Sequence, residues 1–223
     1  MTTPTESQRD HLIKEDVDEE LAWAPEVNDS QIGVSVLDGV VTLSGEVDTY
    51  AERVDAKDAA LRVAGVQVVA DDLLIRDVVR NEHTDTDIAV SIRNVIGWSA
   101  DVPQGAVDVE VLDHVVVLTG EVDWDYQRRA AENLVRGLAG VLRVENRIDL
   151  SPRVSASNTA NLIKSALVRH ALLDSHAITV AAVGSEVTLS GVVTTWAEKE
   201  QAAHAAWASP HVTAVHNKLA VRQ

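Results

Sequence analysis

The sequence predicts an α+β protein made of three small α-β-β-α-β domains in tandem, each a three-stranded sheet packed by two helices. One motif occurs three times, as GVVTLSGEV at 39–47, HVVVLTGEV at 114–122 and SEVTLSGVV at 185–193. Its glycine recurs at Gly45, Gly120 and Gly191, and apolar residues keep the same offsets from each glycine. Helix-like and strand-like apolar periods also alternate in the same order around all three glycines.

Each copy begins with a predicted helix whose apolar residues are spaced three or four apart, which gives one buried face. These residues are Val17 and Leu21 in copy one, Ile92, Val95 and Ile96 in copy two, and Ile163, Ala166 and Leu167 in copy three. An alternating strand follows, represented by Ile32, Val34 and Val36 in copy one.

A tight turn then joins the first strand to the second, at Asp38-Gly39, Asp113-His114 and Gly184-Ser185. Asp-Gly suits a two-residue hairpin turn because both central residues need positive φ. His114 is a poorer choice, so we expect strain there or a longer loop. The glycine of the motif indicates a bulge or a close backbone approach.

A second helix with small alanines and a third strand complete each unit. The helix positions are Ala56, Ala60 and Val63, then Ala131, Val135 and Leu138, then Ala202, Ala206 and Ser209. If the second and third strands are parallel, a right-handed crossover joins them. We predict domains at 8–78, 84–152 and 157–223, with polar linkers at about 76–86 and 151–158.

Composition narrows the class of protein. The 223 residues contain no cysteine, which excludes disulfides, thiolate metal sites and a cysteine nucleophile. The first residues do not form a signal peptide, and no apolar run is long enough to cross a bilayer, so a cytoplasmic location is expected. The net charge of −16 disfavours nucleic acid and anionic lipid as partners.

The charge is uneven along the chain. Residues 1–80 carry −11, residues 81–152 carry −7 and residues 153–223 carry +2. The last segment also holds five of the eight histidines, so it becomes distinctly positive below about pH 6.5. Copy three is therefore the expected contact with an anionic surface.

The motif residues resemble the BON domain. The run V-x-V-x-(D/G)-x-V-V-x-L-(S/T)-G-x-V is followed by an alanine-rich helix and by G-V-x-x-V-x-(N/D)-x-(L/I)-x-(V/I). Copy one has these at 34–47 and 65–75, and copy two at 109–122 and 140–150. Copy three departs, since His211 replaces the second glycine and Glu186 replaces the first valine of the second strand.

The resemblance implies a non-catalytic, bacterial binding module. BON domains occur in osmotic-shock proteins, outer-membrane lipoproteins and secretin-associated proteins, and the family is regarded as phospholipid-binding or envelope-maintaining. Some cytoplasmic members are linked to potassium sensing. The family offers no catalytic residue to carry over, and its motif glycine is structural, which here means Gly45, Gly120 and Gly191.

Tryptophans are the most distinctive candidates for contact. Trp23 and Trp98 both lie 22 residues before the motif glycine, where copy three has Arg169. We expect these two rings to be core residues that cap the helix–sheet interface; the alternative is an exposed ring that meets lipid or another copy. Trp196 begins the second helix of copy three, and Trp207 lies within it.

Basic residues align in the second helix, at Arg53, Arg128 and Lys199. We expect a solvated helix face that pairs with nearby acids, and the alternative is a contact with phosphate or a lipid headgroup. The candidate contact surface is therefore made of Trp196, Lys199, Trp207 and Arg128. The acid-rich stretch at 15–20 is interpreted as a solvated face or a helix start.

No pattern for catalysis or for a cofactor is present. The chain has no G-x-S-x-G, no P-loop and no G-x-G-x-x-G, so we expect no enzyme, no catalytic residue and no cofactor. His204, His211 and His216 fit no zinc spacing, so no metal is expected. The leading hypothesis is a stress-type protein that binds phospholipid headgroups. The alternatives are a self-associating or protein-binding scaffold and a potassium sensor.

Overall fold

The computed structural model describes residues 6–80, 82–152, 158–169 and 177–222. The described helices are α1 (Glu6–Trp23), α2 (Tyr50–Arg62), α3 (Arg76–Arg80), α4 (Asp85–Trp98), α5 (Asp125–Arg136), α6 (Thr159–Arg169) and α7 (Trp196–Trp207). The described strands are β1 (Ile32–Leu37), β2 (Val40–Val47), β3 (Val68–Ile75), β4 (Val107–Leu112), β5 (Val115–Val122), β6 (Arg143–Leu150), β7 (Ile178–Val183), β8 (Glu186–Val193) and β9 (Ala214–Val221). The α+β class and the threefold repetition are confirmed.

The strands form three separate sheets, ordered β1-β2-β3, β4-β5-β6 and β7-β8-β9. β1 is antiparallel to β2, and β2 is parallel to β3, with the same pattern in β7-β8-β9. The parallel pair explains why a helix must lie between the second and third strands, because a parallel connection needs a long crossover.

Both helices of a copy cover the same face of its sheet. In copy one α1 contacts β1, while α2 contacts β2 and β3. Val17, Leu21, Leu43, Ala56 and Leu73 are at most 1% exposed in the shared core. Side chains of β1 alternate between half-buried and exposed, so the opposite face bears no helix of its own copy.

Threonines begin the second helix in copies one and three. The hydroxyl oxygens of Thr49 and Thr195 accept hydrogen bonds from the backbone N–H groups of Glu52 and Glu198, at 3.1 Å each. These caps satisfy N–H groups that have no partner within the helix. The helices end before the third residue of each predicted apolar set, so Val63, Leu138 and Ser209 lie just after them.

The two expected linkers have different outcomes. Residues 76–86 are not a simple polar linker, because Arg76–Arg80 forms α3 and α4 begins at Asp85. The sequence RDVVR contains neither glycine nor proline, so nothing in it opposes a helical turn. Of the second linker, 151–158, residues 153–157 lie outside the described part of the chain.

The chain divides into two compact units, Met1–Asp149 and Leu150–Gln223. Within the first unit, copies one and two touch through α2 and α5. Arg136 Nη2 lies 3.2 Å from Asp55 Oδ1, and Leu142 of copy two packs against the core of copy one. Copy three forms the second unit with its own core, which includes Ile163, Leu189 and Leu219.

Candidate functional site

The motif glycines occupy positions that no other residue can take without rearrangement. Gly45, Gly120 and Gly191 have φ values of 119°, 123° and 129°. A Cβ atom on them would lie 2.0–2.1 Å from the carbonyl oxygens of Gln31, Ala106 and Ala177. The sheet therefore needs the backbone to approach closely just before its first strand, and glycine permits this approach.

The hairpin turns are two-residue turns in copies one and two. Asp38 and Gly39 have φ of 51° and 74°, and Asp113 and His114 have φ of 49° and 64°. His114 thus occupies the strained left-handed region rather than a longer loop. Its Nδ1 lies 2.9 Å from the carbonyl oxygen of Gly140, which connects the turn to the segment before β6.

An aspartate on the first helix holds each of these two turns. Asp10 accepts hydrogen bonds from the N–H groups of Asp38 and Gly39 at 2.9 and 3.0 Å. Asp85 accepts from Asp113 and His114 in the same way, at 3.0 Å each. The sequence reading missed this pair, although both lie 35 residues before the motif glycine. Copy three has Ala156 at that offset, outside the described residues.

The aligned basic residues are connected to the third strand of their own copy. Arg53 Nε binds both carboxylate oxygens of Asp71, at 2.9 and 3.0 Å. In copies two and three, Asn146 Nδ2 and Asn217 Nδ2 donate instead to the carbonyl oxygens of Arg128 and Lys199, at 3.0 and 2.9 Å. This position therefore fastens the second helix to the sheet in all three copies.

Arg128 is engaged with a buried acid. Its Nη2 donates to Oδ1 of Asp125, and Arg129 Nε lies 2.9 Å from Oδ2 of the same residue. The Asp125 side chain is only 4% exposed, so two cations balance a carboxylate that would otherwise be costly to bury. A headgroup contact by Arg128 would have to compete with this ion pair.

Two of the four candidate contact residues meet in copy three. Lys199 Nζ lies 4.8 Å from the centroid of the Trp196 ring, a cation–π arrangement. Nε1 of Trp196 is buried and has no hydrogen-bond partner among the described residues. Trp207 is half-buried and packs against the core of copy three. A contact role for Trp196, Lys199, Trp207 and Arg128 therefore stays a prediction.

The helix-end tryptophans are exposed, and the expectation that they are core residues is wrong. Trp23 and Trp98 are each 85% exposed. Each is the last residue of its helix, and it follows the last buried residue of that helix by two residues in copy one (Leu21) and by six in copy two (Ile92). At about 100° per residue, both spacings turn the ring away from the buried face instead of over the helix–sheet interface.

A surface groove lies beside Trp23, where the end of α1 meets the segment that follows α2. Trp23, Val63 and Ala64 supply its apolar part, and Asp16, Glu19 and Glu20 supply carboxylates. Sequence reasoning treated the 15–20 stretch as a solvated face or a helix start. The acidic stretch differs from an ordinary solvated face because it lies near the end of a helix whose last residue is an exposed tryptophan.

The described residues contain no group of three histidine or acidic side chains that could hold a metal ion. His216 Nε2 lies 3.3 Å from Glu186 Oε2 at the surface of copy three. Among the described helices none is long and apolar enough to cross a bilayer.

Comparison with known proteins places the repeat in a family. The family model "BON domain" matches residues 9–77, 84–152 and 155–223. The osmotically-inducible protein Y of Escherichia coli (strain K12) is 35% identical over 124 residues. That alignment covers 54% of this chain and 62% of the relative, which is less than two thirds of it.

Two solved structures of CdsD, a structural protein of the type III secretion system of Chlamydia trachomatis, also match. They are 13% and 12% identical, cover 95% and 94% of this chain and 92% and 96% of their own, and have a TM-score of 0.27. At this TM-score the likeness carries no argument. The three family matches span nearly all of the sequence, and the chain belongs to the BON domain family.

Proposed function

We propose that this chain is a non-catalytic binding protein of the bacterial osmotic-stress type, and that it contacts phospholipid surfaces through exposed tryptophan rings. The observation that carries the proposal is the equal, 85% exposure of Trp23 and Trp98 at matching places in copies one and two. An exposed indole favours an interface between water and an apolar phase. The relative's name, osmotically-inducible protein, supports the stress association.

The charge distribution decides which lipid is expected. Residues 1–80 carry −11 and residues 81–152 carry −7, so anionic headgroups repel the part of the chain that bears both exposed rings. Zwitterionic vesicles lack this repulsion. Burying one indole contributes about 1–2 kcal/mol, so two rings together make the contact detectable.

Liposome flotation tests the proposal. We expect the protein to float with phosphatidylethanolamine/phosphatidylcholine vesicles, and less with vesicles rich in phosphatidylglycerol. The double variant Trp23→Ala/Trp98→Ala should lose about tenfold or more of the bound fraction. Tyr126→Ala, which removes a 53% exposed ring elsewhere in copy two, is the control and should bind normally.

The pH dependence separates two contact surfaces. Binding through the tryptophans should change little between about pH 5.5 and 7.5, whereas binding through the histidine-rich copy three should be stronger at the acidic end of this range. Absence of flotation at any pH and with either vesicle would refute the lipid proposal.

A second candidate function is a self-associating scaffold. In copy three, the sheet face that bears no helix of its own copy exposes Val183 by 81% and Val192 by 46%, at opposite ends of the β7–β8 hairpin. Sedimentation velocity over a concentration series should then show a dimer or larger species. A monomer at the highest concentration would contradict this candidate.

A further inference from the structure

The groove beside Trp23 combines an accessible aromatic face with negative charge. Glu20 is paired with Arg62, whose Nε lies 2.6 Å from Glu20 Oε1. Asp16 and Glu19 are exposed at the rim. Two carboxylates and an indole ring therefore face the same space.

Glu20 lies in the last turn of α1, where the carbonyl end of the helix carries partial negative charge, and Arg62 offsets its charge. Asp16 and Glu19 lie further from the helix end, so they are the carboxylates that an external cation would meet.

The corresponding surface of copy two keeps the ring but not the charge. Trp98 is as exposed as Trp23, while Ser91, Asn94 and Val95 stand where copy one has Asp16, Glu19 and Glu20. Copy three has Leu162, Ser165 and Ala166 at these offsets and Arg169 in place of the tryptophan. Among the three copies, copy one joins an indole to carboxylates.

We propose that the groove of copy one docks a cationic side chain, preferably arginine, from a basic segment of a protein partner. A guanidinium group stacks on an indole face and donates to carboxylates in the same plane, which an ammonium group does less well. The chain already contains the simpler form of this pairing, since Lys199 lies over the ring of Trp196. The proposal does not depend on lipid binding.

Titration calorimetry with the full chain tests the site, with acetylated hexa-arginine and hexa-lysine peptides as probes at low salt. We expect hexa-arginine to bind more tightly than hexa-lysine. Trp23→Ala should weaken hexa-arginine binding by about two- to fivefold, the range of one exposed cation–π contact. Asp16→Ser/Glu19→Asn, which gives copy one the residues of copy two, should weaken it by about fivefold or more.

Two matched controls distinguish a site from general attraction to an acidic protein. Trp98→Ala removes an equally exposed ring and should leave the affinity unchanged. Asp108→Ser/Glu110→Asn removes two acids from the exposed face of β4 and should weaken binding by less than twofold. Equal effects of the two tryptophan variants, or of the two acid variants, would overturn the proposal, as would no binding at all.

The outcome is separable from that of the lipid experiment. Lipid contact is predicted to need both tryptophans and no peptide, whereas peptide docking needs Trp23 and the acids of copy one. Failure of one measurement therefore leaves the other prediction standing.

Discussion

The sheets of the three copies are nearly identical, whereas their first helices differ. In every copy the strands are 6, 8 and 8 residues long, and the motif glycine lies opposite the first residue of the first strand. The first helices share little beyond their apolar residues. α1 has 18 residues and α4 has 14, and both end in tryptophan, at the position where copy three has Arg169.

The difference follows from what each region must satisfy. The sheet depends on a backbone approach that one residue type allows, so its register is the same wherever that glycine occurs. The first helix has to supply an apolar stripe, and many residues can stand on its outer side. Binding specificity is therefore expected on the first helix, which is where the acidic groove lies.

The largest expected effect on stability comes from replacing the motif glycines of the sheets. Gly45→Ala, Gly120→Ala or Gly191→Ala should each destabilise its own copy by about 3 kcal/mol or more, because the new Cβ meets a backbone oxygen and φ is positive. That loss is comparable to the whole stability of a domain of about 65 residues. Hydrogen exchange resolved by copy should show the affected copy opening.

Gly105→Ala is the control that separates the cost of positive φ from the cost of the clash between the new Cβ and a backbone oxygen. Gly105 also has positive φ, at 72°, but a Cβ there would meet no atom within 4 Å. It should cost about 1 kcal/mol. If the motif variants lose no more unfolding free energy than this control, the close approach of the motif glycine to the carbonyl oxygen is not what requires glycine in the sheet.

A smaller effect is expected where the first helices differ. Asp85→Ala removes the acceptor of two backbone N–H groups in the turn of copy two, and should cost about 1–2 kcal/mol because the site is partly open to water. The amides of Asp113 and His114 should then exchange faster with solvent. NMR-detected hydrogen exchange measures this directly.

Copy one supplies the matched variant. Asp10→Ala should have the same effect on Asp38 and Gly39, to which Asp10 is bound. Unchanged exchange in both the Asp85→Ala and the Asp10→Ala variants would show that the aspartates do not hold the turns.

Much of the fold was predictable because it depends on local periodicity. Val17, Leu21, Val41 and Leu43 follow periods of four and two, and all four are buried as expected. The exposure of Trp23 follows from the same periodicity, because Trp23 lies two residues after Leu21 and therefore on nearly the opposite side of the helix. The expectation of a core position rested on the size of the indole ring and not on this spacing.

The acidic groove and the turn-holding aspartates also escaped prediction, for a different reason. Asp10 lies 28 and 29 residues from the amides that it binds, and Val63 lies 40 residues from Trp23, so no local pattern joins them. The sequence signal for them is a comparison of residues at the same distance from the motif glycine in each copy. Copy three has Ala156 where the other copies have Asp10 and Asp85, and copy two has Ser91 where copy one has Asp16.

The smallest expected effect concerns the start of α4. Thr84 Oγ1 and N donate to Asp87 Oδ2 at 2.6 and 3.0 Å, while Asp87 N donates to Thr84 Oγ1, forming a capping box. The side-chain hydrogen bond from Thr84, then its backbone hydrogen bond and the nearby His83, lower the pKa of Asp87.

Because the pKa of Asp87 is lower in the folded chain than in the unfolded chain, the capping box stabilises α4 fully above about pH 4 and is lost as the pH falls below that. NMR titration should show Asp87 titrating below the usual aspartate range, with the first turn of α4 fraying at the same pH. Thr84→Ala should return the pKa toward its usual value, whereas Thr49→Ala, which removes the cap of α2, should leave it unchanged. An Asp87 that titrates normally in the unaltered chain would mean that the capping box does not form in solution, and α4 would then begin without the cap that its sequence provides.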